Sequence, residues 1–157
     1  DCPVEQIDLE DEAVECVFSN AVVEHFYDVE AAFRQLFRVT QRGGYGFHWV
    51  DFRDHRDFDR PLEYLLMPES EFQIEFGLRR GELGNQIRPH ELQRLVESLG
   101  FDVVSFEPTL IAEESYLAQF IPRLRACSES SYRSNSIEQL QVIGGFFCLK
   151  RREPRPS

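Results

Sequence analysis

Between residues 12 and 52 an apolar run, an amphipathic stretch and a second apolar run follow one another with short connections, and that order restricts the fold more than any other feature. EAVECVFS at 12–19, behind the turn-like LEDE, is rich in Val and Phe and reads as a strand buried on both faces, as in a parallel sheet. From about Asp28 to Gln41, Val29, Ala32, Phe33, Leu36, Phe37 and Thr40 recur at i, i+3, i+4, i+7, with Glu30, Arg34, Gln35 and Arg38 opposite them, which specifies a helix. Asp28 suits its N-cap, Arg38 and Arg42 suit its negative end, and Gly43 suits the left-handed position just beyond. YGFHWVDF at 45–52 has strand composition. Strand, helix and strand so closely spaced predict a parallel pair joined by a right-handed crossover.

The order continues downstream. Pro89 suits a first helical position, Leu92, Leu95, Val96 and Leu99 form one stripe closed by Gly100, and FDVVSF at 101–106 is the strand that follows. Residues 112–127 read as a helix that Pro122 interrupts, 127–136 as a polar loop, and LQVIGGFFCLK at 140–150 as a last buried strand. The intervening 56–84 is an insertion: PLEYLLM offers a helical turn or two, FQIEF alternates like a short exposed strand or hairpin arm, and GLRRGELGN is a loop. A segment of this size over the end of a sheet reads as a lid or substrate wall. The sum is an α/β chain.

A length of 157 residues suits one domain. With 17 Lys plus Arg against 28 Asp plus Glu, the net charge of −11 argues against a nucleic-acid backbone as partner. No apolar stretch approaches the roughly 20 residues of a membrane span. Cys2, Cys16, Cys127 and Cys148 contain no CxxC pair; Cys16 and Cys148 fall in apolar runs, so buried free thiols of a cytoplasmic protein are expected rather than disulfides.

The segment VECVFSNAVVEHFYDVEAAFRQLFRVTQRGGYGFHWVDFRDH, then NQIRPHELQRLVESLGFDVVSF and SIEQLQVIGGFFCLKRRE, resembles in order the later part of the class I S-adenosylmethionine-dependent methyltransferases of the small-molecule type. The resemblance implies a partial Rossmann-like methyltransferase sheet, made of its last two parallel strands plus the closing antiparallel pair. Helices would lie on its faces, with the insertion at about 56–84 on the substrate side. It covers most of residues 8–152 and starts at the end of the family's third strand. The chain is therefore expected to be the C-terminal part of one methyltransferase domain over 1–152, with a disordered tail at 153–157. The implied chemistry is methyl transfer from S-adenosylmethionine to a small molecule by direct displacement. In such a sheet AVECVFS becomes an edge strand with a buried strand's composition, open to pairing with another chain. A non-catalytic pairing module that retains half the fold is the alternative expectation.

Ligands of open α/β sheets lie beyond the carboxyl ends of the strands. The resemblance therefore assigns Ser19, Asn20 and Ala21 to the cofactor side, with helix capping by Ser19 or Asn20 as the competing role. It assigns Asp1 to the adenine, in one of two alignment registers. Glu24 and His25 lie on the following turn toward the substrate, with His25 either a general base or a structural hydrogen-bonder. HWVDFRDH supplies Asp51, Arg53, Asp54 and His55 as substrate-side groups or a solvated turn, with His55 a second candidate base; Arg53 either neutralises a substrate carboxylate or pairs with Asp51 or Asp54. His48 and Asp51 point to opposite faces by the period of two, so no metal site is expected there. Asn85 and Arg88, in NQIRPHE, either face the substrate or tie the insertion to the sheet.

Overall fold

A computed structural model describes residues 3–77 and 83–153. It contains one four-stranded sheet, β1 (Val14–Asn20), β2 (Thr40–Asp51), β3 (Phe101–Ile111) and β4 (Val142–Arg151), in the order β1-β2-β4-β3. β1 and β2 are parallel, while β4 runs antiparallel to both β2 and β3. This is the expected last parallel pair followed by an antiparallel pair.

Helix α1 (Val29–Val39) starts where Asp28 Oδ1 accepts from the Ala31 amide at 2.8 Å, and it buries Val29, Ala32, Phe33, Leu36 and Val39. It ends earlier than the periodicity indicates. Thr40 is its cap, with Oγ1 donating to the Leu36 carbonyl, and the chain enters β2 without a loop. Gly43 is left-handed, as its position foretells, but inside the strand: its φ of 72° sits where the pairing jumps from Val14↔Thr40 to Cys16↔Tyr45. Helix α3 (Pro89–Leu99) packs beside α1, with Pro89 at its start and Gly100 as its left-handed end. Val23, Phe33, Leu36, Val50, Leu92 and Phe147 form the core between these helices and one sheet face.

The insertion departs from expectation. FQIEF is part of helix α2 (Glu69–Gly77), with Phe72 and Phe76 stacked at 4.6 Å and buried, while Ile74 is exposed. Phe-x-x-x-Phe is a helical repeat as well as the outer pair of an alternating strand, and the exposed Ile74 is what separates the two. The segment also carries core of its own. Leu62, Tyr64, Leu65, Phe72 and Phe76 join Phe120 and Leu124 of helix α4 (Glu114–Ala126) and Leu140 of helix α5 (Ile137–Gln141) in a second core. Pro122 lies inside α4. Residues 78–82, within the expected loop, lie outside the described residues, as do Asp1, Cys2 and most of the tail.

β1 is an edge strand, and it is not buried on both faces. Phe18 is 70% exposed, and Cys16 is exposed rather than a core thiol. By strand alternation Cys16 and Phe18 share a face with Tyr45, Phe47 and Trp49 of β2 and with Phe146 and Cys148 of β4. Rings continue across it, Tyr45 on Phe47 and Phe47 on Phe146. The helices α1 and α3 lie on the opposite side.

Candidate functional site

The site is built where the two parallel strands end side by side. The register Ser19↔His48 and Asn20↔Trp49 brings the segments after β1 and β2 together. Ala21, at φ 52°, extends the pairing by donating its amide to the Trp49 carbonyl. The chain then makes a tight 3₁₀ turn at Val23–His25.

That turn is held from outside. The Gly84 amide donates to the Glu24 carbonyl at 2.8 Å, and Asn85 Nδ2 donates to the carbonyls of Val23 and Phe26 at 2.9 and 2.8 Å. A Cβ on Gly84 would stand 2.4 Å from the His25 carbonyl oxygen, so only glycine permits this approach. Asn85 thus ties the insertion to the site. Arg88 does the same from the core: fully buried, it donates to the carbonyls of Phe52, Leu140 and Val142 and to the Tyr64 hydroxyl.

Beyond β2 the sequence Asp51-Phe52-Arg53-Asp54-His55-Arg56 repeats Asp-x-Arg, and each copy folds alike. The Arg53 amide and guanidinium both donate to Asp51, and those of Arg56 donate to Asp54, each guanidinium forking onto both carboxylate oxygens. Asp51 and Asp54 are buried, so this is no solvated turn. Arg53 also lies over the Phe58 ring at 4.3 Å. His55 Nε2 stands 3.7 Å from Asp51 Oδ2, and the His25 and His55 rings meet edge to face at 5.4 Å.

Glu24 is the anomalous member. Only 3% exposed, it has no hydrogen-bond partner on either carboxylate oxygen among the described residues. Burial, helped by the charge of Asp51 and opposed by nearby backbone amides, pushes its carboxyl up to about 7. Burial also pulls His55 below the ordinary histidine range against the attraction of Asp51, and it brings His48 down to about 4. His48 is therefore a neutral core imidazole, with Nδ1 2.7 Å from Ser19 Oγ.

Five of the expected residues therefore come together: Glu24, His25, Asp51, Arg53 and His55. Asp54 is held by Arg56, Asn85 donates to backbone and Arg88 to backbone and the Tyr64 hydroxyl, and Ser19 bonds His48 while Asn20 stays exposed; neither of the last pair caps the 3₁₀ turn. Asp1 lies outside the described residues. The sequence reading missed the Ser19–His48 pair and Arg56. The repeated Asp-x-Arg spacing was the available signal for Arg56. A cavity of about 340 Å³ adjoins the Asn85 clamp, with Tyr27, Asp28, Glu69, Glu91 and Tyr132 in its wall.

The fold is that of the class I S-adenosylmethionine-dependent methyltransferases. Residues 1–47 match the family model of a methyltransferase domain. A methyltransferase from Methanosarcina mazei superposes with a TM-score of 0.61 at 11% identity, over 97% of this chain and 66% of its own. One from Mesorhizobium loti gives 0.59 at 12%, over 96% and 67%. The geranyl diphosphate C-methyltransferase of Streptomyces coelicolor, captured with Mg2+, geranyl diphosphate and S-adenosyl-L-homocysteine, gives 0.55 at 13%, over 96% and 50%. The chain thus spans about half to two thirds of the length of these structures. No curated protein matches the sequence. Among the described residues no helix is long and apolar enough to cross a membrane.

Proposed function

We propose that this chain contributes the acceptor side of an S-adenosylmethionine-dependent methyltransferase acting on a small molecule. The observation that carries the reading is the convergence of Glu24, His25, Asp51, Arg53 and His55 at the carboxyl ends of a parallel pair in a methyltransferase fold. When bound, S-adenosylmethionine supplies an electrophilic methyl group on a sulfonium. Ser19, Asn20 and Ala21, with Asp1, would hold it from the β1 side. Displacement at that carbon depends mainly on alignment of nucleophile and leaving group. The Asp51–Arg53 fork fixes the loop that carries His55, and Gly84 and Asn85 fix the turn that carries His25. The two imidazoles, as candidate bases, are thereby set against each other on rigid supports. Asp54 and Arg88 brace the same loop from behind.

The open edge of β1, with Phe18 and Cys16 uncovered, is the place for a further strand to pair, and residues 1–152 form a single domain around it. A cytoplasmic setting accords with free thiols at Cys16, Cys127 and Cys148. A thermal melt with and without millimolar S-adenosylhomocysteine tests the reading. A ligand at 100 times its dissociation constant adds roughly 2.7 kcal/mol to the native state, so the midpoint rises clearly. A melt indifferent to the ligand refutes cofactor binding by this chain.

A further inference from the structure

We propose that Glu24 receives the ammonium group of an amine, so that the methyl acceptor is a small cationic amine. The proposal rests on the methyltransferase reading for the word acceptor, and on Glu24 alone for the word amine.

Among the described residues the charges around Glu24 do not balance. Arg53 is spent on Asp51 and Arg56 on Asp54, each by a two-pronged fork. Glu24 lies in the field of Asp51, is buried to 3% exposure, and keeps two empty acceptor oxygens. A buried carboxylate without a donor is costly, and proteins keep such groups where a ligand completes them. An ammonium brings up to three N–H donors and the missing positive charge. A hydroxyl brings one donor and no charge. A phosphate or carboxylate would add a further anion beside Glu24 and Asp51, with the Arg53 and Arg56 forks already occupied. The cavity beside the Asn85 clamp has the same sign, with Asp28, Glu69 and Glu91 in its wall and no Lys or Arg among its described residues.

The chemistry closes. Ionised Glu24 takes one proton from R–NH3+, leaving R–NH2 and a neutral carboxylic acid. The nitrogen lone pair attacks the methyl carbon of S-adenosylmethionine, the carbon–sulfur bond breaks, and its electron pair stays on sulfur as S-adenosylhomocysteine. The product leaves as R–NH2+–CH3.

The test follows the Glu24 side-chain carboxyl by 13C NMR through a pH titration, in tens of millimolar methylammonium chloride and in equal sodium chloride. Loss of the signal in E24Q assigns it; if E24Q does not fold, the carboxyl titrating near neutrality in the wild type serves. The expected result is a midpoint lower by about one unit or more in methylammonium, a tenfold preference of the cation for the ionised form. Equal midpoints in the two salts overturn the proposal, as does a methylammonium effect confined to other carboxyls. The homocysteine melt is read separately. A methylammonium response without a homocysteine response leaves an amine site and removes the methyltransferase reading; the reverse keeps the methyltransferase and removes the amine.

Discussion

Replacing Glu24 by Gln should stabilise the protein, and by an amount that depends on pH. Glu24 is held at about 7 in the folded chain against an ordinary 4.5. The folded state therefore binds a proton that the unfolded state has released, and stability changes with pH in proportion to that difference. The contribution is fully present below 4.5 and is lost as pH rises through 7. The gap of 2.5 units corresponds to about 3 kcal/mol at 1.36 kcal/mol per unit. Because the residue is 3% exposed, solvent screening removes little of it. Gln keeps the shape and cannot ionise, so the two proteins should be of nearly equal stability around pH 4.5, with the variant ahead by about 3 kcal/mol at pH 8. His48 complicates the absolute profile. Held near 4 against 6.5, it costs stability as pH falls below 6.5, which opposes the Glu24 slope over much of the same range. The difference between wild type and variant cancels this contribution. Urea unfolding in a pH series measures it, since m should be common to both. A difference that stays flat from pH 5 to pH 8 would refute the claim that Glu24 is buried without a partner.

Two further outcomes follow from the supports of the site. Arg88→Met leaves the Phe52, Leu140 and Val142 carbonyls without their buried donor and should cost about 3 kcal/mol or more in urea unfolding. Gly84→Ala forces a methyl group against the His25 carbonyl and should destabilise by about 1–3 kcal/mol, with the His25 and His55 ring resonances moving together in NMR.

The parallel pair, its crossover helix and the later helix and strand were legible because one pattern governed each segment: the Val29–Thr40 stripe is helical under any template, and Pro89 and Gly100 bracket the next. FQIEF was not, since two buried Phe four apart satisfy both periods and burial of the middle residue decides. The apolar composition of EAVECVFS marked a strand, but composition cannot say what lies beside it, and Phe18 and Cys16 end up exposed. At the site, proximity in sequence served well. Glu24 and His25 share a turn, Asp51 to His55 share a loop, and strand register brings the two together. The roles of Asn85 and Arg88 depend on which carbonyls fall within reach of their donors, at distances of 52 and more residues for four of those bonds. No local pattern encodes that. Glu24 reads as an ordinary polar turn residue until its burial is known.

The aromatic face formed by Phe18, Tyr45, Phe47, Trp49 and Phe146 has an optical consequence. Trp49 is the only tryptophan in the chain, and its indole N–H is bonded to the Thr109 hydroxyl at 3.0 Å on that half-exposed surface. Its emission therefore reports the wetness of this one side of the sheet. Any polypeptide that covers the face will shift the spectrum to the blue, and a ligand confined to the carboxyl ends of the strands will leave the colour much as it was. The molecule carries its own fluorescent gauge of whether its sheet is clothed.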